Sequence, residues 1–497
     1  MLPITEMSSI DSVINSFNTA IQILNDKNIS PKKFNKTSEH AQELLLSLIS
    51  TLNKENPDWF NQNSSILLDE MENLKTLIEN NLLSVSTGFL FELGLLNDLV
   101  KKKNNDVFLE QEAIEGNSAK QYELGCIYLD KKNYEEAFYW FNESAKQGYP
   151  AGQAYLGRCY ANGWGTTVDK IKAYHFFTIS AEKGNSYGQN GLGYCYENAF
   201  GVSKDEKVAF KWFQKSAEQG LIQGQINLGR CYVYGIGIEK NFNEAKIWLL
   251  KPAEQGEKNA QYMLGVIFYS GGNGIKQDYV EAVKWLTKAA LQNNAQAQLL
   301  LGHCYALGHG VNQQHSVAAN WYLKSAENDN VSAQLQIGNC YYQGRGIAQD
   351  FTKALLWYQK AADKNDEAML MLGILYFLGN GVTQNYPEAF RCFAKAEIKG
   401  NSKATYMVGV CFHYGLGTPV ICHKTAIKCY IEAAEKGYEQ AQYALGQCYE
   451  EGTIIEKDIT KAIKMYQLAA RQGNQDAINR LNTYYHTVPQ NYTSFRR

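Results

Sequence analysis

Eleven cysteines and eight histidines are the residues of this 497-residue chain whose types could support redox, nucleophilic or metal chemistry. Their spacing decides among these. Seven cysteines (Cys159, Cys195, Cys231, Cys304, Cys340, Cys411 and Cys448) each stand two residues after a recurrent glycine. Cys392 and Cys429 take a position that is otherwise aromatic in the following stretch. Thiols repeated at one apolar register read as small buried hydrophobes. Structural zinc needs closely paired ligands, and no Cys-x-x-Cys occurs, so no metal is expected. Only Cys411 and Cys429 could be brought together within a single segment. Among the histidines, His303, His309 and His315 lie six apart and cannot share one helical face. His413 and His423 come near Cys411 and Cys422, but surface or half-buried imidazoles are the simpler reading. The chain carries no nucleophile elbow, no His-Glu-x-x-His and no Walker loop. Its Gly-x-Gly pairs recur in phase, which makes them turns and not phosphate loops. The expectation is a protein that is not an enzyme and needs no cofactor.

Whatever those residues do, the charge balance limits the partners. Lys and Arg total 48 against 50 for Asp and Glu, a net charge of -2. A general nucleic-acid binder presents a strongly basic face, so no nucleic-acid partner is expected. The first basic residue is Lys27, too late for a secretory leader, and Phe89 to Leu96 is short and interrupted by Glu92. These features predict a chain without a membrane span, cytoplasmic or exported without a cleaved signal peptide. Reduced cysteines agree with an intracellular compartment. Asn491-Tyr-Thr493 matches a glycosylation sequon in a polar tail, which carries weight only on a secretory route.

The elements that position these side chains are set by an internal repeat. Ala-x-x-x-Leu-Gly-x-x-Tyr is followed by Gly-x-Gly, then Ala-x-x-(Trp/Cys)-aromatic, then Ala-Glu-x-Gly. Its first glycine falls at Gly125, Gly157, Gly193, Gly229, Gly265, Gly302, Gly338, Gly373, Gly409 and Gly446. Ala441, Leu445 and Tyr449 are four apart and share one helical face, as do Ala209, Trp212, Phe213 and Ala217 in the second half. Each repeat therefore holds two helices of about 13 to 15 residues. A glycine in mid-helix costs about 1 kcal/mol relative to alanine. Its tenfold recurrence predicts a position where a Cβ would block the partner helix. Glycines such as Gly235 and Gly237 suit a left-handed helix end and a tight turn. Only 8 prolines agree with long helices. The fold class is all-α: an α-solenoid, a right-handed superhelix of helix-turn-helix repeats, behind an N-terminal helical segment.

These motifs resemble the Sel-one-like repeat family, a relative of the tetratricopeptide repeats, over about residues 119–486. The first repeat departs from it, since Tyr128-Leu-Asp-Lys-Lys-Asn-Tyr134 lacks the glycine loop. The ninth also departs, with the longer Gly417-Thr-Pro-Val-Ile-Cys-His423. The resemblance implies a curved scaffold or adaptor presenting surfaces to other proteins. It also raises two further readings. One is a ligand-binding or hydrolase-like protein of the family's cysteine-rich, disulfide-bridged branch; the other is an effector of an intracellular bacterium. The organisation read from the chain is 1–84, an N-terminal helical segment acting as cap or small module; 85–118, a degenerate first repeat; 119–486, the array with a C-terminal half-repeat; and 487–497, a polar tail.

By analogy with tetratricopeptide solenoids, positions near the repeat glycine on the first helix should line a concave groove. They are Arg158, Tyr187, Tyr194, Arg230, Tyr234, Tyr262, Tyr269, His303, Tyr342, Ile374, Phe377, Val410, Tyr414 and Tyr443, together with Tyr122, Leu335 and Leu370. Tyr and Arg are frequent interface anchors. The expected partner is another protein, offering a peptide or amphipathic helix. Several of these tyrosines could equally well pack between neighbouring repeats. Arg158 and Arg230 are candidates for gripping a carboxylate.

Overall fold

The computed structural model describes residues 108–487 together with Thr19. Segment 1–84, most of 85–118 and the end of the tail lie outside the described residues. The chain divides into two compact bodies, 1–224 and 225–497. In the first body, helical residues 108–114 precede α1 (Ser118–Asp130), α2 (Tyr134–Lys146), α3 (Pro150–Asn162), α4 (Lys170–Glu182), α5 (Ser186–Glu197) and α6 (Glu206–Glu218). Helix α7 (Ile222–Tyr234) contains the boundary. The second body continues with α8 (Phe242–Glu254), α9 (Lys258–Ser270), α10 (Tyr279–Leu291), α11 (Ala295–Leu307), α12 (His315–Glu327), α13 (Val331–Gln343) and α14 (Phe351–Ala362). It ends with α15 (Asp366–Leu378), α16 (Tyr386–Ile398), α17 (Ser402–Tyr414), α18 (His423–Glu435), α19 (Glu439–Glu451), α20 (Ile459–Arg471) and α21 (Gln475–Thr487). No strand occurs among the described residues, only an isolated bridge between Gly272 and Ile275. None of the described helices is long and apolar enough to cross a membrane.

Local chemistry fixes many of the helix ends. The Asp350 carboxylate accepts from the Lys353 amide at 2.9 Å and caps α14, and Asp169, Asp205, Asp278 and Asp458 cap their helices in the same way. At the other end α13 stops at Gly344, whose φ of +68° is left-handed and suits glycine. The Arg345 amide then returns to the Cys340 carbonyl at 3.0 Å, and the Asp350 amide reaches the Tyr341 carbonyl at 3.0 Å. The repeated tyrosine three residues after the glycine thus anchors the loop to the helix before it.

Packing follows the repeat. Within each body consecutive helices pack on one another, α1 to α6 in the first and α8 to α21 in the second, and first helices also touch the first helix of the following repeat, α1 with α3, α3 with α5 and α9 with α11. The mid-helix glycine is the contact point: a Cβ at Gly338 would stand 2.6 Å from Cε1 of Tyr358, which is fully buried. Phe141, Phe213, Phe393 and Tyr466 fill the corresponding place elsewhere. Burying one such ring contributes about 1.5–3 kcal/mol.

Buried polar ladders complete each body. Gln261 donates to the Ala253 carbonyl at 2.9 Å and accepts from Gln292 at 2.9 Å. Gln298 likewise bonds the Ala290 carbonyl and accepts from Asn328, both at 3.0 Å. Beside them Ser325 Oγ donates to the Ala295 carbonyl at 2.6 Å, as Ser144 does to Ser118 and Ser180 to Pro150. Burial makes such bonds hard to lose, because an orphaned carbonyl costs about 1–3 kcal/mol.

Candidate functional site

The expected groove residues fall into two groups, and the packing of the rings separates them. In the first body Arg158 is half-buried, its guanidinium carbon 4.6 Å from the Tyr155 ring centroid and 5.3 Å from that of Trp164. Aromatic faces hold this cation, a favourable arrangement in itself. Tyr122 and Tyr187 both meet the edge or face of Tyr155, at 5.2 and 5.4 Å. Tyr194 is 46% exposed and lies 5.8 Å from Phe200.

In the second body many of the predicted residues tie helices together. Tyr269 bonds His309 Nδ1 at 3.1 Å, and Tyr322 bonds His303 Nδ1 at 2.9 Å. Burial holds the His303 imidazole below its ordinary pKa. Tyr342 meets Phe351 at 5.5 Å, Phe377 meets Tyr386 at 5.3 Å, and Tyr443 meets Tyr466 at 5.6 Å. Arg230, Tyr262, Leu335, Ile374 and Val410 are half-buried. Leu370 differs from expectation: only 2% exposed, it belongs to the core, whereas Tyr262 and Leu335 at the same register stay half-buried. Tyr234 and Tyr414 remain open, and Tyr414 stacks flat on His413 at 4.4 Å.

Both open tyrosines stand five residues after their repeat glycine, and that register is more informative than the longer list. Through the second body it reads Tyr234, Ser270, Leu307, Gln343, Leu378 and Tyr414, six consecutive repeats without a charge. All six are exposed. Leu307 and Leu378 belong to this column, and sequence reasoning passed over them although the spacing was there to find them. The charge returns at Glu451 in the next repeat.

Chemistry at the other candidates is sparse. None of the eleven cysteines is in a disulfide, Cys411 and Cys429 included. Burial raises Cys159, Cys195, Cys304 and Cys411 to about 12. Cys422 behaves oppositely: hydrogen bonds from the Thr425 hydroxyl and amide lower its thiol pKa. His413 and His423 face each other at 5.6 Å. Among the described residues no three His, Cys, Asp or Glu groups are placed to hold a metal.

A register that sequence reasoning missed lies between the two loop glycines. The residue there rests on the first residue of the second helix of the preceding repeat. Trp164 stacks on Tyr134 at 5.9 Å and His309 on Tyr279 at 4.3 Å, while Lys170 Nζ lies 5.5 Å from the Phe200 centroid. In the seventh repeat this residue is Arg345, whose Nη2 is 3.4 Å from His315 Nε2. A polar cavity of about 200 Å³ opens beside that pair.

Comparison with known proteins agrees with this architecture. Ten consecutive segments match the Sel1 repeat model, from 121–149 and 150–185 without a gap to 402–438 and 439–474. A Sel1-like repeat-containing protein, L21, of Acanthamoeba polyphaga mimivirus is 33% identical over 95 residues, 19% of this chain and 17% of that protein's length. Among solved structures, c5321 of uropathogenic Escherichia coli, described as a protective antigen displaying an SLR fold, is 32% identical with a TM-score of 0.62. The match covers 76% of this chain and 82% of that one. A Sel1 repeat protein from Oxalobacter formigenes is 30% identical over 62% of this chain and 88% of its own, with a TM-score of 0.45.

Proposed function

The chain belongs to the Sel1 repeat family, and from that premise we propose that it is a non-catalytic scaffold whose second body binds an amphipathic segment of another protein. The uncharged exposed column is the observation that supports this reading. Leu307, Leu378 and Tyr414 are 56%, 51% and 62% exposed. Apolar side chains at one register of α11, α15 and α17 suit the spaced anchors of a helical ligand. Half-buried Ile374 and Val410 flank them one turn away and would form the floor on which an anchor is desolvated. The cysteine-rich alternative relies on bridged pairs within repeats, and here no cysteine is bridged.

The test is a comparison of quantitative binding between the parent and a Leu378→Glu, Tyr414→Glu double variant. Partners captured from cell extract by the parent would be purified and titrated against both chains. The double variant should bind at least about tenfold more weakly, since an interface anchor typically contributes about 2 kcal/mol or more. It should melt like the parent, because both side chains are exposed. Lys395→Glu, on the solvent face of α16, should change little. Equal binding by the double variant would remove the column as the docking surface.

A further inference from the structure

We infer that the cavity between the sixth and seventh repeats is a carboxylate-binding site, with Arg345 as its anchor. Its size comes first. At about 200 Å³ it is smaller than the pockets of about 300–1,000 Å³ that take cofactors or drug-sized molecules. Water occupies roughly 30 Å³ in the liquid, so this space suits one acidic side chain or a small free acid.

The lining then selects the ligand's charge. Arg345, His315, Tyr322, Gln336, Asn339 and Gln343 surround the cavity with Cys340 and two alanines, and no Asp or Glu is among them. Arg345 makes its side-chain hydrogen bond to His315 and pairs with no carboxylate among the described residues. Arginine only donates, so His315 Nε2 accepts here and the guanidinium charge stays uncompensated. Asn339 is oriented as well: its Oδ1 accepts from the Tyr358 hydroxyl at 2.8 Å, which leaves its amide N–H groups for a ligand. A planar guanidinium with neutral amide donors around it matches a carboxylate, which it can bind bidentately. A doubly charged phosphate would face a single permanent cation.

Departure from the repeat pattern supports the same conclusion. At two other rungs ring stacks on ring, Tyr134 with Trp164 and Tyr279 with His309. Here a guanidinium meets an imidazole and space is left beside them. One residue earlier, where Asp169, Asp205, Asp278, Asp350 and Asp458 cap other second helices, Gln314 stands and makes no side-chain cap. The cap position therefore supplies no carboxylate beside Arg345.

Saturation-transfer NMR on the full chain tests the site without any protein partner, so it stands or falls separately from the scaffold reading. The probes are glutarate, N-acetyl-glutamate α-amide, neutral glutaramide and inorganic phosphate. Both carboxylates should bind, glutaramide and phosphate much more weakly. Arg345→Gln should weaken both carboxylates about tenfold or more. Gln314→Asp, which restores an internal acid, should weaken them too and covers the case in which the first variant misfolds. Tighter binding of the capped glutamate would assign the site to a protein side chain, and tighter glutarate to a free acid; either supports the proposal. Parent-like carboxylate binding by folded Arg345→Gln, glutaramide equal to glutarate, or phosphate tighter than both would overturn it.

Discussion

Gly338 shows how much a single residue controls in this architecture. Its hydrogen atom leaves room for the Tyr358 ring, and an added Cβ would lie 2.6 Å from Cε1 and 2.8 Å from Cδ1. Gly338→Leu should lower stability by about 2 kcal/mol or more, the usual range of overpacking in a close-packed core. A reduced denaturant midpoint and new protease cuts within the sixth to eighth repeats would show it; a variant as resistant as the parent would rule the contact out. This glycine was legible in the sequence because a repeated local cost has only a packing explanation. The glutamines four residues before it, such as Gln261, Gln298 and Gln334, recur in eight of the ten repeats yet were passed over. A polar residue reads as surface until the carbonyl it satisfies is known, and that carbonyl lies eight residues earlier, on the preceding helix. The ladder is also imperfect in a way that no pattern announces: Gln153 and Gln334 leave Oε1 without a partner.

At the scale of elements, the closing half-repeat α21 was visible as one more period, but its attachment was not. Arg480 donates Nε to Glu450 at 2.9 Å, and the Tyr466 hydroxyl donates to the same carboxylate at 2.6 Å. Thirty residues separate Glu450 from Arg480, so in sequence both look like ordinary surface charges. Burial alone would raise the Glu450 pKa, but the hydrogen bonds from Arg480, Tyr466 and Tyr484 pull it down to about 2. A folded-state pKa below the ordinary value near 4.5 means stability present above that value and lost as pH falls through 2. The melting difference between the parent and Glu450→Gln should therefore be full at pH 7, shrink below pH 4.5 and vanish near pH 2. Arg480 is 48% exposed, which limits the effect to about 1 kcal/mol. A difference that is flat from pH 7 to 2 would show that the carboxylate's charge does not hold α21. The exposed column of the second body belongs to this scale too. Its register was legible, but the depth of each ring was not: Phe377 and Tyr443 turn towards their own second helices while Leu378 stays open.

For the molecule as a whole, the eleven thiols give a readout spread through both bodies. Cys126, Cys159 and Cys195 lie in the first, the other eight in the second, and none is in a disulfide. Nine are buried, and for Cys159, Cys195, Cys304, Cys411, Cys340, Cys392, Cys429 and Cys448 burial raises the pKa to about 11 or 12. The reactive species is the thiolate, so these should be inert near pH 8 while the fold is intact. Cys126 is half-buried and its pKa is raised, mainly by burial, whereas Cys422 is half-exposed and lowered by the Thr425 hydroxyl and amide. Native alkylation followed by mass spectrometry should therefore label Cys422 first and Cys126 more slowly, before any other. Alkylation in denaturant without reductant should add eleven groups. Fewer than eleven would mean bridges, reopening the disulfide-linked branch of the family and weakening the scaffold reading. Early native labelling of Cys340 or Cys448 would instead mean that the second body opens locally. In a stack held mainly by neighbour contacts, one loosened repeat exposes the thiols of the next. The order in which the thiols react therefore tests the packing of every repeat that carries one.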